Sequence, residues 1–301
     1  MEIFRKMSFA DSTGDAIPFY HEGKYHIFSL TSPPGTTVYP ERLRTTWSHS
    51  ISDDLVHWQE LPTALYPGEG DEPDASGVWT GSVIYGEGQY HAFYTGYCLT
   101  AEFQQTICHA TSDDGITWTK DIANPVITPM TELYEKLDWR DPYVFYNEED
   151  ENYWILISAR RLDMPVTRRG CIVLYRSKNL KDWTYYGPIY SPGHTNCPEC
   201  PEMYKMGGHW YLSYSRFSEF VNTIYRVSES PFGPWRKPKK DGIGGRRFYA
   251  AKSMQNDDGR RFYFGWAHDR AEQSDKGEWY WGGTFCICLL YTSPSPRDLS
   301  T

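Results

Sequence analysis

The chain has 301 residues, and 40% of them are hydrophobic, which is enough for a buried core and excludes general disorder. Its formal net charge of −9 opposes binding to nucleic-acid phosphates and to anionic membranes. Aromatic residues make up 17% of the chain, a share that suits β-strands and sugar-stacking surfaces better than helix bundles.

Cysteine usage and the start of the chain favour a reducing compartment. The seven Cys residues are an odd number scattered over a long chain, which argues against a disulfide framework. Residues 1–15 carry charge but lack the continuous apolar segment of a secretory signal. No run approaches the roughly 18 apolar residues that a membrane helix needs. We therefore expect a cytoplasmic protein with neither a membrane nor a nucleic acid as partner.

Five short aromatic runs recur along the chain, and each follows a polar turn. Apolar and polar residues alternate within them, and Gly, Asp or Asn bounds them, which is the pattern of a strand. Their spacings are 65, 63, 57 and 52 residues, and long helical periodicity is nearly absent. Their first aromatic residues are Tyr25, Tyr90, Tyr153, Trp210 and Phe262.

A second repeat lies between these runs and consists of a polar turn that leads to a Trp. Two independent repeats with periods of tens of residues in an all-β chain indicate a propeller or a solenoid. We predict an all-β fold, a five-bladed β-propeller with four-stranded antiparallel blades around a central channel. The copies of the second repeat are residues 52–58, 112–118, 177–183 and, more loosely, 228–235.

Three acidic residues occupy the same repeat position near the start of their units. Asp15, Asp141 and Glu199 lie 10, 12 and 11 residues before the aromatic run of their own unit. The matching places of the other two units hold Trp79 and Tyr249. In a propeller these places begin the innermost strands, so we expect all five side chains to face one another across one mouth of the channel.

Carboxylates crowded in this way repel one another, so at least one pKa should rise. A carboxylic acid with a raised pKa beside an ionised carboxylate is what glycosidic cleavage requires. Aromatic rings around such a site suit the apolar faces of a sugar. The sequence therefore predicts a small oligosaccharide as the partner of this site.

The motifs around these acids resemble those of glycoside hydrolase family 32, the β-fructosidases, which form five-bladed propellers. Arg-Asp-Pro at 140–142 is similar to the family's RDP motif, and Glu-Cys-Pro at 199–201 to its ECP motif. The resemblance covers roughly residues 14–283. Further similar segments are residues 47–58 (WGH…S.DL.HW in the family), 79–82 (FSGS), 247–251 and 265–266.

The resemblance implies hydrolysis of a terminal β-fructofuranoside, such as sucrose or a short fructan, with retention and without a cofactor or metal. Asp15 would be the nucleophile that forms a fructosyl-enzyme, and Glu199 the general acid and then the base. Asp141 would hold sugar hydroxyls, with Arg140 positioning it. The other side chains that would bind the sugar are Trp47, Trp79, Thr80, Tyr249 and Trp266.

Two departures from the family pattern leave the sugar open. The family's first motif is WMNDPNG, whereas residues 12–19 read STGDAIPF and keep only the Asp and a displaced Pro. Leu30 stands where the family has a Gln. Because the missing amides would hydrogen-bond the sugar ring, two alternatives stay open. One is a clan relative that cleaves arabinofuranosides or xylosides with inversion, and the other is a sugar-binding propeller without turnover.

The expected domain plan is one catalytic propeller over residues 1–290 without the family's usual C-terminal β-sandwich. Residues 291–301 are rich in Ser and Pro and show no blade pattern, so we expect a disordered tail with a foreign appearance. The apolar run 285–291 is expected to pair with a strand at 2–7 and close the ring.

Two further signals remain. Cys-Pro-Glu-Cys at 197–200 has no second pair of ligands and no βαβ context, so it predicts no metal or redox site. Basic pairs at 160–161, 168–169 and 246–247 are typical of solvated loops. Their alternative interpretation is an anion site for a phosphorylated sugar.

Overall fold

The computed structural model describes residues 4–5, 12–36, 39–245 and 247–290. Twenty β-strands form five four-stranded antiparallel sheets. The described ranges contain no α-helix, and their only helical segments are the short 3-10 turns Glu41–Leu43, Val166–Arg168 and Ala271–Gln273. No helix in these ranges has the length and apolarity to cross a membrane.

The five sheets are the blades of a propeller, and the strands of each blade follow one another from the channel outward. Blade I contains β2 (Thr13–His21), β3 (Lys24–Thr31), β4 (Thr46–Ser52) and β5 (Trp58–Leu65). Blade II contains β6 (Gly77–Gly86), β7 (Gln89–Tyr97), β8 (Gln105–Ser112) and β9 (Thr119–Lys120). Blade III contains β10 (Tyr134–Asn147), β11 (Asn152–Arg161), β12 (Gly170–Ser177) and β13 (Thr184–Tyr190). Blade IV contains β14 (Glu199–Met206), β15 (His209–Arg216), β16 (Asn222–Ser228) and β17 (Gly242–Ile243). Blade V contains β18 (Phe248–Gln255), β19 (Arg261–Arg270), β20 (Trp279–Leu290) and β1 (Phe4–Arg5).

The hydrophobic core is divided into five clusters, one between each pair of neighbouring blades. Strand β11 shows why, because successive side chains of a strand point to opposite faces. Ile155 and Ile157 pack toward blade II, whereas Trp154 and Leu156 pack toward blade IV. The predicted five-bladed propeller is confirmed, and each aromatic run lies at the start of a second strand.

The second repeat is a turn between the third and fourth strands of a blade. Ser52 Oγ accepts the backbone N–H of Leu55, while Asp54 Oδ1 accepts those of Val56 and His57. Short polar side chains that bond nearby backbone groups in this way favour turns over regular structure. The corresponding acceptors in blades II and III are Ser112, Asp114 and Asn179.

The ring closes between the two ends of the described chain. Phe4 pairs with Cys286 and Arg5 with Phe285, so β1 forms the outermost strand of blade V. This confirms the expected closure for the described residues of both segments. Residues 291–301 lie outside the described residues, so the nature of the tail stays a prediction.

Candidate active site

Every innermost strand carries a β-bulge near its first residues, where its register with the second strand shifts. In four blades a residue of the bulge has a left-handed backbone, namely Asp15 (φ 34°), Asp141 (φ 58°), Cys200 (φ 49°) and Ala250 (φ 49°). A bulge bends its strand and re-aims neighbouring side chains, and bulges are frequent beside active sites. The repeated bulge turns side chains from successive blades toward one end of the channel.

The register corrects the prediction that the three acids share one repeat position. Glu199 pairs with the second strand just before the bulge, as Arg140 does in blade III. Asp15 and Asp141 lie within the bulge, and their counterpart in blade IV is Cys200. The longer first hairpin turn of blade III, residues 148–151 against 22–23 and 207–208 in blades I and IV, hid this offset, because distances of 10, 11 and 12 residues then counted as equivalent.

A cavity of about 370 Å³ lies where the innermost strands begin. Its lining includes all three predicted catalytic acids and most of the predicted sugar-binding side chains. The convergence predicted at one mouth of the channel is therefore confirmed, while the catalytic roles stay proposals. The predicted residues that line the cavity are Asp15, Asp141, Glu199, Trp79, Thr80, Arg140, Tyr249 and Trp266.

Asp15 is half-buried, and both oxygens of its carboxylate accept hydrogen bonds. Trp266 Nε1 donates to Oδ1 at 2.9 Å, and Thr80 Oγ1 donates to Oδ2. Burial raises the pKa of Asp15, the two donors lower it, and the charge of Glu199 raises it further. The predicted rise is present, but loss of water contributes more to it than repulsion between the acids does.

Asp141 is the most deeply buried of the three acids, with 4% of its surface exposed. The backbone N–H of Cys200 donates to Oδ2 at 2.8 Å, and Arg140 Nε lies 3.9 Å from the same oxygen. The N–H of Asp141 donates in turn to Thr95 Oγ1 at 2.8 Å, which ties the bulge to blade II. Burial raises the pKa of Asp141, Arg140 lowers it, and the charge of Asp15 raises it.

Glu199 is held by one donor on each carboxylate oxygen. Arg140 Nη2 donates to Oε1 at 2.9 Å, and the Tyr249 hydroxyl donates to Oε2. Burial and the charge of Glu199 raise the pKa of Tyr249 well above its usual value, so the phenol stays protonated. Arg140 Nη1 is fixed by Asp138 Oδ1 at 2.5 Å and Gln105 Oε1 at 3.1 Å, two residues that the sequence analysis missed.

Trp47 does not line the cavity, which corrects its predicted place in the sugar pocket. It belongs to the third strand of blade I, and its fully buried ring packs against Phe28 and Tyr94 between blades I and II. Its indole N–H donates to the carbonyl oxygen of Trp79 at 2.9 Å. Trp47 therefore supports the backbone of Trp79, whose ring does line the cavity.

The rest of the wall comes from loops, from the 3-10 turn before β4 and from strands β3, β14 and β20. Phe217 is 59% exposed and meets the ring of Tyr249 edge-on. The Arg42 guanidinium lies 5.3 Å from the ring centre of Trp281. Leu30, one of the two departures from the family pattern, places an apolar side chain in the lining. The other lining residues not indicated by the sequence are Leu43, Thr45 and Cys200.

Several arginines of the basic pairs contact carboxylates or aromatic rings within the fold. Arg160 is 5% exposed, and its Nε lies 2.7 Å from Glu135 Oε2, so the solvated interpretation is wrong for this residue. Arg169 pairs with the same carboxylate, and Arg247 stacks 3.9 Å from the ring centre of Trp279. Arg246 lies outside the described residues.

The seven cysteines all lie within the described residues, and no disulfide joins any two of them. Across the ranges that the structure covers, no three His, Cys, Asp or Glu side chains are grouped to hold a metal ion. That the protein needs neither metal nor cofactor stays a prediction.

Five antiparallel blades surround a channel that ends in a carboxylate-lined cavity, so the protein is a five-bladed β-propeller with a site of paired carboxylates. The family model described as glycosyl hydrolases family 32 N-terminal domain matches residues 16–288, and the chain belongs to this family. Asp15 stands directly before the matched segment.

The chain is similar to several characterised proteins. It is 27% identical over 294 residues to sucrose-6-phosphate hydrolase of Zymomonas mobilis, covering 90% of this chain and 55% of that protein. It is 30% identical over 272 residues to raffinose invertase of Escherichia coli, covering 82% of this chain and 52% of that protein. The structure of fructan 1-exohydrolase IIa from Cichorium intybus shares the fold, with a TM-score of 0.74 and 22% sequence identity. The match covers 94% of this chain and 56% of that chain. The chain thus spans about half the length of the curated relatives it matches.

Proposed function

We propose that this protein hydrolyses a terminal β-fructofuranoside, such as sucrose or a short fructan, with retention of configuration. The observation that carries the proposal is the cavity in which Asp15 and Glu199 lie with different hydrogen-bond partners. Two carboxyl groups in different environments can take different roles, one as nucleophile and the other as acid and base.

In the first half of the reaction, Asp15 attacks the anomeric carbon of the fructosyl unit. The bond from this carbon to the glycosidic oxygen breaks, and Glu199 transfers its proton to that oxygen. The leaving alcohol departs, and a fructosyl ester of Asp15 remains. Thr80 and Trp266 hold the two oxygens of Asp15, so its attack needs little rearrangement.

In the second half, Glu199 takes a proton from water, and the resulting hydroxide attacks the anomeric carbon. The ester bond breaks, which restores the Asp15 carboxylate and the protonated Glu199. Two inversions at one carbon give net retention, and one water is consumed. Asp141 accepts hydrogen bonds from sugar hydroxyls and favours the positive charge that develops on the ring.

Two observations support the choice of sugar and location. Sucrose, raffinose and fructans all contain a β-fructofuranosyl unit, and the names of the reported relatives refer to these sugars. The free thiols agree with a reducing compartment, so we propose the cytoplasm as the location.

The test is a release assay on sucrose, sucrose 6-phosphate, inulin and levan oligomers, and aryl arabinofuranosides and xylosides. Wild-type protein should release fructose, and Asp15→Ala should abolish release. Glu199→Gln should lower kcat/KM on sucrose by about 10²–10⁴-fold but lower kcat/KM far less on an aryl fructoside, whose leaving group needs no proton. We compare kcat/KM because it reports the first half of the reaction, whereas the second half, which also uses Glu199, is the same for both substrates. Asp53→Asn and Glu149→Gln, on exposed side chains, serve as matched controls and should keep full activity.

Each other outcome has a definite meaning. Equal losses of kcat/KM on sucrose and on the aryl fructoside would contradict the acid role of Glu199. Release of pentose instead of fructose would move the protein to the clan relatives that act on pentosides. No release from any substrate, with sugar binding retained, would identify a binding module without turnover.

A further inference from the structure

A second cavity lies farther along the innermost strands, beyond the acids. It has a volume of about 190 Å³, and residues that follow the bulges of β2, β6, β10 and β18 line it. Lys252 belongs to this lining and follows Tyr249 of the first cavity by three positions on β18. Its side chain therefore lies between the active-site cavity and the far end of the channel.

Lys252 is buried to a degree that is rare for a lysine, with 1% of its surface exposed. Its ammonium donates to the carbonyl oxygen of Gly81 at 2.6 Å. Gly81 is on β6 of blade II, so the side chain reaches from blade V past blade I across the channel. A buried ammonium is costly unless nearby negative charge compensates it.

The carboxylate nearest along the channel on the far side already has its own partners. Glu202 is fully buried, and its Oε1 accepts the backbone N–H of Ser253 at 2.9 Å and the Ser253 hydroxyl at 2.6 Å. Arg261 Nη1 lies 3.9 Å from the same oxygen.

Within the described residues, no ion pair joins Lys252 to a carboxylate within 4.0 Å. Gly81, whose carbonyl oxygen accepts from the ammonium, directly follows Thr80, which donates to Asp15 Oδ2, so the charge lies beside the residues that hold Asp15.

We propose, on the basis of the function proposed above, that Lys252 is a positioning residue whose ammonium holds Asp15 and Asp141 in their ionised forms. Lys252 touches neither the sugar nor the reacting atoms and acts through the two carboxylates. Its charge lowers the pKa of both, against the rise that burial causes. The nucleophile is thereby kept ready for attack at mildly acidic pH, although it has lost much of its water.

Several other charged or titratable groups act on the same acids and must be held constant in a test. They come from blades III, IV and V and from the 3-10 turn before β4. Those that face Asp15, Asp141 or Lys252 are Arg42, Arg140, Glu199, Cys200, Glu202, Tyr249 and Arg261.

The experiment compares Lys252→Gln, Lys252→Arg and Lys205→Gln. Lys252→Gln removes the charge but keeps a donor for the Gly81 carbonyl, whereas Lys252→Arg keeps the charge. Lys205→Gln makes the same chemical change at an exposed ion pair with Glu149, so it controls for net charge. One readout is the pH profile of kcat/KM, and the other is the ¹³C titration of the Asp15 carboxyl, assigned with Asp15→Asn.

Lys252→Gln should lower kcat/KM by about tenfold at the acidic end of the profile and by less than about twofold at the optimum. The Asp15 titration should move to higher pH, while Lys252→Arg and Lys205→Gln should follow the wild type. An unmoved titration in folded Lys252→Gln would overturn the proposal. If Lys252→Gln does not fold, Lys252→Met removes the charge while it keeps an unbranched side chain of similar size. An Asp15 titration that moves to higher pH in Lys252→Met but not in Lys252→Arg supports the role of charge, and one that stays at the wild-type pH in Lys252→Met overturns it.

The carboxyl titration needs no turnover, so the two proposals can fail separately. A wild-type protein without hydrolytic activity but with the expected Asp15 shift would refute the proposed reaction and keep the role of Lys252. Fructose release by the wild type, with no shift of the Asp15 titration in Lys252→Gln, would keep the proposed reaction and refute the role of Lys252.

Discussion

At the scale of single residues, the site depends on how each carboxylate is held. Asp15 has lost much of its water, and the hydrogen bonds from Thr80 and Trp266 compensate part of that loss. Donors to the charged form of an acid lower its pKa. In the proposed reaction Asp15 attacks as a carboxylate, so these donors should extend the activity toward acidic pH.

Thr80→Val tests this dependence, because it keeps the shape of the side chain and removes the hydroxyl. The pKa of Asp15 should rise, so the acidic limb of kcat/KM should move to higher pH. Hydrogen bonds to charged groups contribute about 1.5–3 kcal/mol, so a loss of roughly tenfold is expected on that limb. The exposed Thr119→Val is the matched control, and an unchanged limb in Thr80→Val would refute the role of this hydrogen bond.

At the scale of elements, blades I and II share a buried pair of histidines. His26 Nδ1 and His49 Nε2 are 3.0 Å apart in blade I, and His91 Nδ1 and His109 Nε2 are 2.9 Å apart in blade II. Burial lowers the pKa of His26 to about 4, of His49 to about 3 and of His91 to about 4. The buried rings are therefore neutral in the folded protein near neutral pH.

The sign of the resulting pH dependence follows from these lowered values. Protonation favours the unfolded chain, where histidine has a pKa of about 6.5. The stability that the neutral rings contribute is therefore complete above pH 6.5 and is lost as the pH falls toward 4. The double variant His26→Gln/His49→Gln should flatten this loss, measured as the free energy of unfolding in urea.

The matched control for the histidine prediction is His57→Gln, at a side chain that is 87% exposed. It should reproduce the wild-type dependence on pH. A double variant that loses stability in acid as steeply as the wild type would show that these rings do not cause the loss.

At the scale of the whole molecule, stability depends on closing the ring. Strand β1 supplies only Phe4 and Arg5 to blade V, yet it covers the outer edge of β20. An uncovered strand edge exposes backbone donors and acceptors and promotes aggregation. The closure also joins the first described residues to the last blade, so opening either end should affect both.

The double variant Phe4→Pro/Arg5→Pro tests the closure. Adjacent residues in a strand direct their N–H groups to opposite sides, so at least one Pro removes a donor toward β20. We expect a lower Tm and more light scattering on heating, while Phe4→Thr/Arg5→Thr, which retains strand propensity, should change Tm much less. If the Pro and the Thr double variants had the same Tm, the backbone pairing of β1 would contribute little to closure.

Much of the fold could be predicted because its pattern is local and repeated. Aromatic runs such as the one at Tyr153 alternate with period two, and polar turns such as that at Asp54 bond their own backbone. Neither signal needs information about distant parts of the chain. The motifs around Asp141 and Glu199 are local in the same sense, so the three acids and their convergence could also be anticipated.

The sequence by itself therefore determined the blades, their number and the acids at the channel mouth. Only the tertiary structure decided that Glu199 is one position out of step with Asp15, because a bulge depends on the pairing of two strands. It also decided that Trp47 is buried behind Trp79 and that Lys252 crosses to Gly81. These contacts join different blades, and no local pattern in one blade specifies which side chain of another will meet it.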